Sequence, residues 1–449
     1  MIAKKVFNKF FLADLGENLL VGITVAILLL VFSNNTWLME IEDSSMDWLM
    51  EIKKNIIPSI KEDNIPSIIM LDIDSETYRM WREPLFISHK HINQLIDSAV
   101  KAKAKLIIVT IDISQQIPFD SPLHPDDQAL KDYLENYATE CKNCPPIILK
   151  RDLITQNNSI PKLYNSFLDN IIVKNPKIYW ATSEFKLASD KIIRRLPLWS
   201  QVCKGNTQPI VIPSIELVGM SILKKCNDIP LEQFQPPNCS NDINQYSGKF
   251  DFCGLNVDLA NRWEMNQRIM YQMSWENSVF DMDDNLVLRI ISAQYYTDPN
   301  PPAKLAALTD NIVIIGASYQ KAYEIHSTPV GDMPSAILSA NALHSLLKNE
   351  DFYLSSLTNI FIIIIFIIII SLFLKIFNSP TGIIVSGVII IFGLLPLTMA
   401  IFDYGIWFDF AASLFAIIIY RLIIKYIHPI KLNNFIRCTT LRRLKKCLD

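Results

Sequence analysis

The order of apolar and polar positions predicts alternating strands and helices through the middle of the chain. Nearly continuous apolar runs at 68–74 and 106–113 are typical of buried strands, and segment 89–103 between them places apolar residues at helical spacing. The alternation continues with further helices near 126–138 and 163–170, and with strands at 147–149 and 178–181. Strands that are apolar throughout indicate an α/β fold, in which helices cover both faces of a mostly parallel sheet.

The last strand and helix of this region are predicted between residues 310 and 347. Residues 311–315 form a short apolar run that ends at Gly316, as expected for a buried strand. A polar loop extends to Pro334, a residue suited to the first turn of a helix. The helix that follows presents one apolar face, formed by Ala336, Ala340, Leu343 and Leu347.

Long apolar segments on both sides of this region predict membrane helices. Each is close to the length needed to cross a bilayer, and they occupy residues 18–39, 352–374, 376–402 and 406–424. The mean hydropathy of the whole chain, +0.22, agrees with a mixture of membrane helices and one large globular domain at 40–351. A cleaved signal peptide is the alternative for the first segment, but no small-residue cleavage site follows it.

The distribution of charge predicts how the chain is oriented in the membrane. Basic residues are concentrated in 1–17 and 425–449, and the positive-inside rule places such segments in the cytoplasm of a bacterial inner-membrane protein. Segment 40–351 is then periplasmic. It holds 30 Lys and Arg against 40 Asp and Glu, a net charge of −10, which gives it no electrostatic basis for binding nucleic acid.

Cysteine placement agrees with an oxidising compartment. The periplasmic segment holds an even set of six that can form three disulfides: Cys141, Cys144, Cys203, Cys226, Cys239 and Cys253. The C-x-x-C of the first two has redox catalysis or metal binding as alternatives. Both are disfavoured, because the motif leads into Pro145 and Pro146 and no second C-x-x-C completes a zinc site. Segment 227–256, rich in Pro, Asn and Ser, is predicted to be a loop held by disulfides.

Acidic residues at the ends of two predicted strands indicate a candidate site. Asp72 and Asp74 end the first strand, and Asp112 lies near the end of the second. Ligands of parallel sheets bind beyond the carboxyl ends of the strands. The alternative is structural: these carboxylates cap helices or pair with Arg194.

Short motifs recur along the predicted domain in a recognisable order. Its end carries Gly316, His326, Thr328, Pro329, Gly331, Pro334, Ala340, Asn341 and Ala342. Earlier motifs supply Asp74, Thr77, Trp81, Glu83, Pro84, Asp112, Ser114, Asp127, Leu130, Asp190, Arg194, Pro213, Ser214, Arg268 and Tyr271. Together these motifs resemble the CHASE family, class two, whose members are extracytoplasmic sensor domains of bacterial kinases and cyclases. The sequence departs from the family pattern at Glu324, Ser335 and His89.

No cofactor or metal is predicted, and the resemblance implies a sensor domain that binds a ligand. Together with the strand-end acids it nominates Asp72, Asp74, Trp81, Asp112, Asp190, Arg194, His326, Thr328 and Asn341. We expect Asp72, Asp74, Asp112, Arg194 and His326 to converge at one end of the sheet.

The predicted function is signal sensing without catalysis. No phosphate-binding loop, dinucleotide turn, nucleophile elbow or zinc-protease motif is present, which disfavours periplasmic hydrolysis by the acidic cluster. Only about 25 residues follow the fourth predicted span, fewer than a kinase or cyclase domain needs. The sequence therefore predicts that the protein senses a small ligand and acts through other envelope proteins or a second copy of itself. The alternative is a structural subunit of an envelope complex.

Overall fold

The computed structural model describes most of the chain between residues 36 and 348. The described ranges are 36–56, 65–116, 122–140, 143–154, 160–205, 208–226, 228–235, 239, 249–258, 266–281, 284–297, 305–319, 325–348 and 365. Contacts divide the chain into two compact units, Met50–Glu350 and residues 1–49 with 351–449. Helix α1 (Thr36–Ile56) contains one boundary between these units. The fold described below is that of the first unit.

The predicted membrane spans lie almost entirely outside the described residues. Of those four segments, the structure describes only residues 36–39 and 365. Within the described ranges, no helix is both long enough and apolar enough to cross a bilayer.

A seven-stranded sheet forms the centre of the unit. Its strands, in spatial order, are β13 (Ser278–Phe280), β14 (Leu286–Ser292), β1 (Ile68–Ile73), β15 (Ile312–Ala317), β2 (Leu106–Val109), β3 (Ile147–Lys150) and β5 (Ile178–Ala181). Six strands are parallel, and β13 is an antiparallel edge strand. The sheet confirms the predicted α/β fold with a mostly parallel sheet.

Helices cover both faces of the sheet, as the apolar strands predicted. One face carries α3 (His89–Lys101), α4 (Pro125–Glu140) and α5 (Asp169–Ile172). The other carries α6 (Ile215–Leu223) and α7 (Ser335–Lys348), and the short α2 (Ser75–Met80) follows β1.

Successive residues of β1 serve the two faces in turn. Ile69 and Leu71 belong to one apolar cluster with Ile92 and Leu95 of α3. Met70 points the other way, towards Gly316 of β15 and the first turn of α7. Burial on both sides explains why the strand is apolar at almost every position.

Helix α7 is buried on every side rather than on the one predicted face. Residues 335–347 are all buried. The helix packs on β15 and β1 and also contacts α6, so it has no solvent-facing stripe. The serines of α7 and its one asparagine, Asn341, therefore need hydrogen-bond partners inside the protein.

Two predicted connections are wrong in detail. The helix predicted at 163–170 is replaced by β4 (Lys162–Leu163) and the short α5, because the Ser166 side chain accepts the Leu168 amide and delays the helix. The loop before α7 contains a hairpin, β16 (Ile325–Thr328) and β17 (Gly331–Pro334). Its turn is closed by the Thr328 hydroxyl, which donates to the Gly331 carbonyl.

Small sheets and disulfides surround the central sheet. They comprise β6 (Lys186–Leu187), β7 (Ile193–Pro197) and β12 (Asn266–Arg268); β4, β8 (Trp199–Lys204) and β9 (Gln208–Pro213); and the hairpin β10 (Lys249–Phe252) and β11 (Leu255–Asp258). Much of this hairpin falls in segment 227–256, which was predicted to be a loop.

Five of the six predicted cysteines are disulfide-bonded. The structure pairs Cys203 with Cys239 and Cys226 with Cys253, with Cα atoms 5.9 and 6.1 Å apart. Cys144 is also bonded, whereas Cys141 lies outside the described residues.

We expect Gly316→Ala to lower the free energy of unfolding by about 1–3 kcal/mol, the usual cost of overpacking a core. A Cβ on Gly316 would stand 2.4 Å from the Ala336 Cβ and 2.8 Å from the Thr110 Oγ1. Chemical denaturation of the full-length chain measures this. Adding Ala336→Gly moves the methyl from helix to strand and should recover part of the loss. Wild-type stability for Gly316→Ala alone would contradict the close packing.

Peptide mass spectrometry without reduction should recover Cys203 linked to Cys239 and Cys226 linked to Cys253. Replacing Cys226 and Cys253 together by serine should reduce stability by roughly 2–4 kcal/mol, because the unfolded chain then regains the freedom of the closed loop. Alkylation of these four thiols in the unreduced protein would refute the pairing.

Candidate functional site

A cleft of about 350 Å³ opens beyond the carboxyl ends of β2 and β3. It is lined by Asp112, Gln115, Arg151, Asp152, Ile154 and Tyr164. The first two follow β2, the next three follow β3, and Tyr164 follows β4. The volume lies at the small end of the range for ligand pockets, and the position is the one that parallel sheets use for ligands.

Asp112 supplies a partly buried carboxylate to the cleft. The turn after β2 holds it, because its Oδ1 accepts the Ser114 amide at 2.7 Å. Burial raises the pKa of Asp112, and repulsion from Asp152 adds to the rise. Within the described part of the chain, no lysine or arginine forms a salt bridge with Asp112.

Arg151 forms the opposite wall and is held rigidly. Its side chain is 4% exposed, and its Nη1 donates to Asp169 Oδ1 at 2.7 Å. Its Nη2 donates to the Tyr164 carbonyl, and the guanidinium carbon lies 5.2 Å from the centre of the Trp180 ring. The buried Nε has no acceptor among the described residues. Asp169 also approaches Lys204, with 3.5 Å between Oδ2 and Nζ.

Lys150 connects the cleft to a second polar cluster. Its Nζ lies 3.1 Å from Asp152 Oδ1, and its side chain is only 11% exposed. The positive charge of Lys150 lowers the pKa of His326, after the larger effect of burial. The same charge opposes the rise in the pKa of Glu184, which burial causes and Asp152 strengthens.

Glu216 is the most deeply buried acid of this second cluster. It follows Ser214, whose hydroxyl caps α6 by accepting the Leu217 amide at 3.1 Å. The carboxyl is fully buried, neither of its oxygens has a hydrogen-bond partner among the described residues, and burial raises its pKa to about 7. The Ser339 hydroxyl lies 3.4 Å from the Ser183 hydroxyl. A buried glutamic acid therefore stands between the two helices of this face.

The two acids at the end of β1 form their own neighbourhood on the same edge of the sheet. Asp72 Oδ2 accepts from the Ser318 hydroxyl at 2.6 Å, and burial raises its pKa to about 6. Asp74 caps α2 by accepting the Thr77 amide at 2.7 Å. The structural reading, helix capping, is thus confirmed for Asp74. Strand β15 lies between β1 and β2, so Asp112 is in a separate place on that edge.

His326 and Asn341 are engaged with the protein at either side of α7. The His326 Nε2 lies 2.9 Å from the hydroxyl of Ser335, the first residue of the helix. Asn341 is fully buried; its Oδ1 accepts the amides of Gln272 and Met273, each at 2.9 Å. This asparagine ties α7 to the segment after β12.

The remaining predicted residues also contact protein groups and do not line the cleft. Arg194 lies on β7, in a different sheet, and donates to Asp190 at 2.8 and 2.6 Å. The proposed pairing of Arg194 with the strand-end acids is therefore wrong. Trp81 stacks on His91 with ring centres 4.2 Å apart. Of the nine predicted ligand-binding residues, Asp112 is the one that lines the cleft.

Sequence reasoning missed the residues that directly follow β3. Lys150, Arg151 and Asp152 end a strand in the same way as Asp112, and the same argument would have nominated them. Glu216 was also missed, although one acid in an otherwise apolar helix is a recognisable signal. Asp169 and Tyr164 gave no signal, since only tertiary packing brings them to β3.

Comparison of the sequence with models of known protein families identifies the family of this chain. The family model described as the CHASE2 domain matches residues 23–374. The chain belongs to the CHASE2 family. The match confirms the predicted resemblance. Because CHASE2 domains are sensor domains, the chain carries a sensor domain. No curated protein and no solved structure shows significant similarity to it.

The fully buried Glu216 should make stability depend on pH. Its folded pKa, about 7, lies above the usual value of 4.5, so the folded state binds the proton more tightly. Stability should therefore fall as pH rises through this window, by about 3 kcal/mol. Glu216→Gln, which mimics the protonated acid, should match the wild type at pH 5 and exceed its stability at pH 8.

Thermal unfolding of the full-length chain at the two pH values measures the effect. Glu135→Gln, at an exposed position of α4, is the matched control and should change neither value. Equal destabilisation by Glu216→Gln at both pH values would show that the carboxyl is not protonated in its buried place.

Proposed function

We propose that this chain is a sensor of the bacterial inner membrane whose periplasmic CHASE2 domain binds a small molecule in the cleft beyond β2 and β3. The supporting observation is that Asp112, partly buried and without a salt bridge in the described part of the chain, lines a ligand-sized cleft together with the held guanidinium of Arg151. Burying a carboxylate without a counter-charge costs free energy, and proteins accept that cost mainly at functional sites.

Lys150 is suited to report whether the cleft is occupied. It pairs with Asp152 in the cleft wall, and its charge also acts on Glu216 and His326. A ligand that engages Asp152 competes with Lys150 and strengthens the pull of Lys150 on Glu216. The polar contacts between α6 and α7 would then change.

Helix α7 extends from this edge of the sheet to the other. Its first turn lies beside Gly316 at the carboxyl end of β15, where Ala336 makes contact. Near its end, Leu343 meets Gly219 of α6 and lies close to Leu106, the first residue of β2. A shift that begins at Ser339 can therefore reach the end of the helix, which precedes the predicted span 352–374.

The membrane setting of the proposal is supported by the sequence. Apolar segments at 18–39, 352–374, 376–402 and 406–424 and the basic segments at 1–17 and 425–449 favour cytoplasmic termini and a periplasmic domain. In this proposal the signal passes to other inner-membrane or envelope proteins through those spans.

A structural role in an envelope complex is the second candidate. It is favoured by Met80 at the end of α2 and by Leu85 and Phe86 in the loop that follows, which are 51%, 89% and 59% exposed. Contiguous exposed apolar side chains are typical of protein contacts. Stoichiometric recovery of another envelope protein, lost on changing Leu85 and Phe86 to serine, would favour this role.

The test of the sensor proposal fills the cleft without changing its charge. Ile154→Trp places a large ring in the wall, whereas Val173→Trp adds the same ring at an 87% exposed position outside the cleft. Small molecules released from purified full-length protein are compared by mass spectrometry. We expect a molecule that binds wild type and Val173→Trp alike and is reduced at least about tenfold in Ile154→Trp, since a lost contact of 1.4 kcal/mol already has this effect. Recovery of no such molecule, or equal recovery from all three proteins, would refute the proposal.

A further inference from the structure

The charged groups around the cleft separate into two sets of opposite sign. Among the described residues, Asp112 and Asp152 stand on one side with Lys150, and these three groups together carry a net charge of −1. On the other side, Arg151 and Lys204 both approach the carboxylate of Asp169, and these three groups together carry +1. The cleft is therefore electrically dipolar rather than simply acidic.

We propose that the ligand of this cleft is a zwitterion, a free α-amino acid with an apolar side chain. The inference rests on the proposed function and names its ligand class. The ammonium group would lie against Asp112 and Asp152, and the carboxylate against the side that holds Arg151. Ile154 and Tyr164 supply apolar and aromatic surface for the side chain.

The ammonium end is argued from Asp112. Its carboxylate is partly buried, its Oδ1 accepts the Ser114 amide, and no described cation forms a salt bridge with it. Asp152, whose side chain is 55% exposed, repels it from the same cleft. A bound ammonium would give both carboxylates a donor and a counter-charge.

The carboxylate end is argued from Arg151, independently of the acids. The residue is 3% exposed and lines the cleft, yet its buried Nε–H has no acceptor among the described residues. Its Nη atoms are already used by Asp169 and the Tyr164 carbonyl. A ligand carboxylate answers the +1 of these groups and offers acceptors to a guanidinium whose donors are not all satisfied.

The size of the cleft restricts the ligand further. About 350 Å³ accommodates a single amino acid, whereas an oligopeptide would have to extend outside it. The partly exposed Ile154 and Tyr164, 42% and 50% exposed, are positioned to be covered by an apolar side chain. An amine without a carboxylate, or a carboxylate without an amine, would leave one set of charges unanswered.

The experiment compares a zwitterion with its two halves on the full-length chain. The twenty L-amino acids are first screened by thermal shift, and the strongest is titrated by calorimetry beside its decarboxylated amine and its deaminated acid. For L-leucine as probe, these are isoamylamine and 4-methylpentanoate. We expect the amino acid to bind at least about tenfold more tightly than either half, the factor that corresponds to one lost charged hydrogen bond.

Two variants separate the ends of the ligand. Asp112→Asn should weaken the binding of the amino acid and of the amine about tenfold and leave the binding of the acid unchanged. Asp132→Asn, at an exposed position of α4, is the control and should not change the binding of any of the three compounds. Because Arg151 also holds Asp169 and Tyr164, its removal risks misfolding. Lys204→Met is used instead. It should weaken the binding of the amino acid and of the acid, but not the binding of the amine.

The outcomes distinguish this inference from the proposed function. An amine that binds as tightly as its amino acid, or a failure of all twenty amino acids to bind, overturns the zwitterion. If a different molecule then binds wild type and is excluded by Ile154→Trp, the sensor proposal stands with another ligand. If Ile154→Trp does not reduce the binding of any molecule, both the sensor proposal and the zwitterion proposal are refuted.

Discussion

The contact between α7 and β15 at Gly316 is the constraint on which the rest of the domain depends. A strand that is buried on both faces must accept a helix on each, and here the helix axis comes close enough that no Cβ fits between Ala336 and the strand. Close approach lets α7 contact the strands on one side and α6 on the other. Almost the whole helix is consequently removed from water.

Because α7 is buried on every side, each of its polar side chains must either find a hydrogen-bond partner in the protein or remain uncharged. Asn341 resolves its burial by bonding both amide functions to the backbone at Gln272, Met273 and Ile337. His344 Nδ1 has no hydrogen-bond partner among the described residues, and burial, with repulsion from Lys348, lowers the pKa of His344 to about 3, so the ring is neutral. Ser345 bonds the Met270 amide. The contacts of Asn341 and Ser345 hold the segment after β12 against α7.

The cleft gains its chemical character from the same arrangement of strands. Parallel strands deliver their carboxyl ends to one edge, where Asp112 after β2 meets Arg151 and Asp152 after β3. Lys150, the last residue of β3, is directed to the opposite face from its neighbour Arg151 and so acts on the cluster of Glu216 and His326. The end of β3 therefore supplies residues to the cleft and also a charge, on Lys150, that acts on Glu216 of α6.

The α/β class, the principal strands and the family could be predicted from the sequence alone, because they depend on local periodicity and on short motifs. The strand at 178–181 and the helix beginning at His89 lie where the apolar pattern placed them. The acids that follow β1 and β2 also indicated the edge of the sheet at which the cleft opens. Which polar residues meet there depends on packing between distant parts of the chain. Strand order inserts β15 between β1 and β2, separates Asp72 from Asp112, and brings Asp169 and Tyr164 to Arg151 across a stretch of irregular chain. Such pairings join residues far apart in sequence through packing and burial, and no local pattern records them.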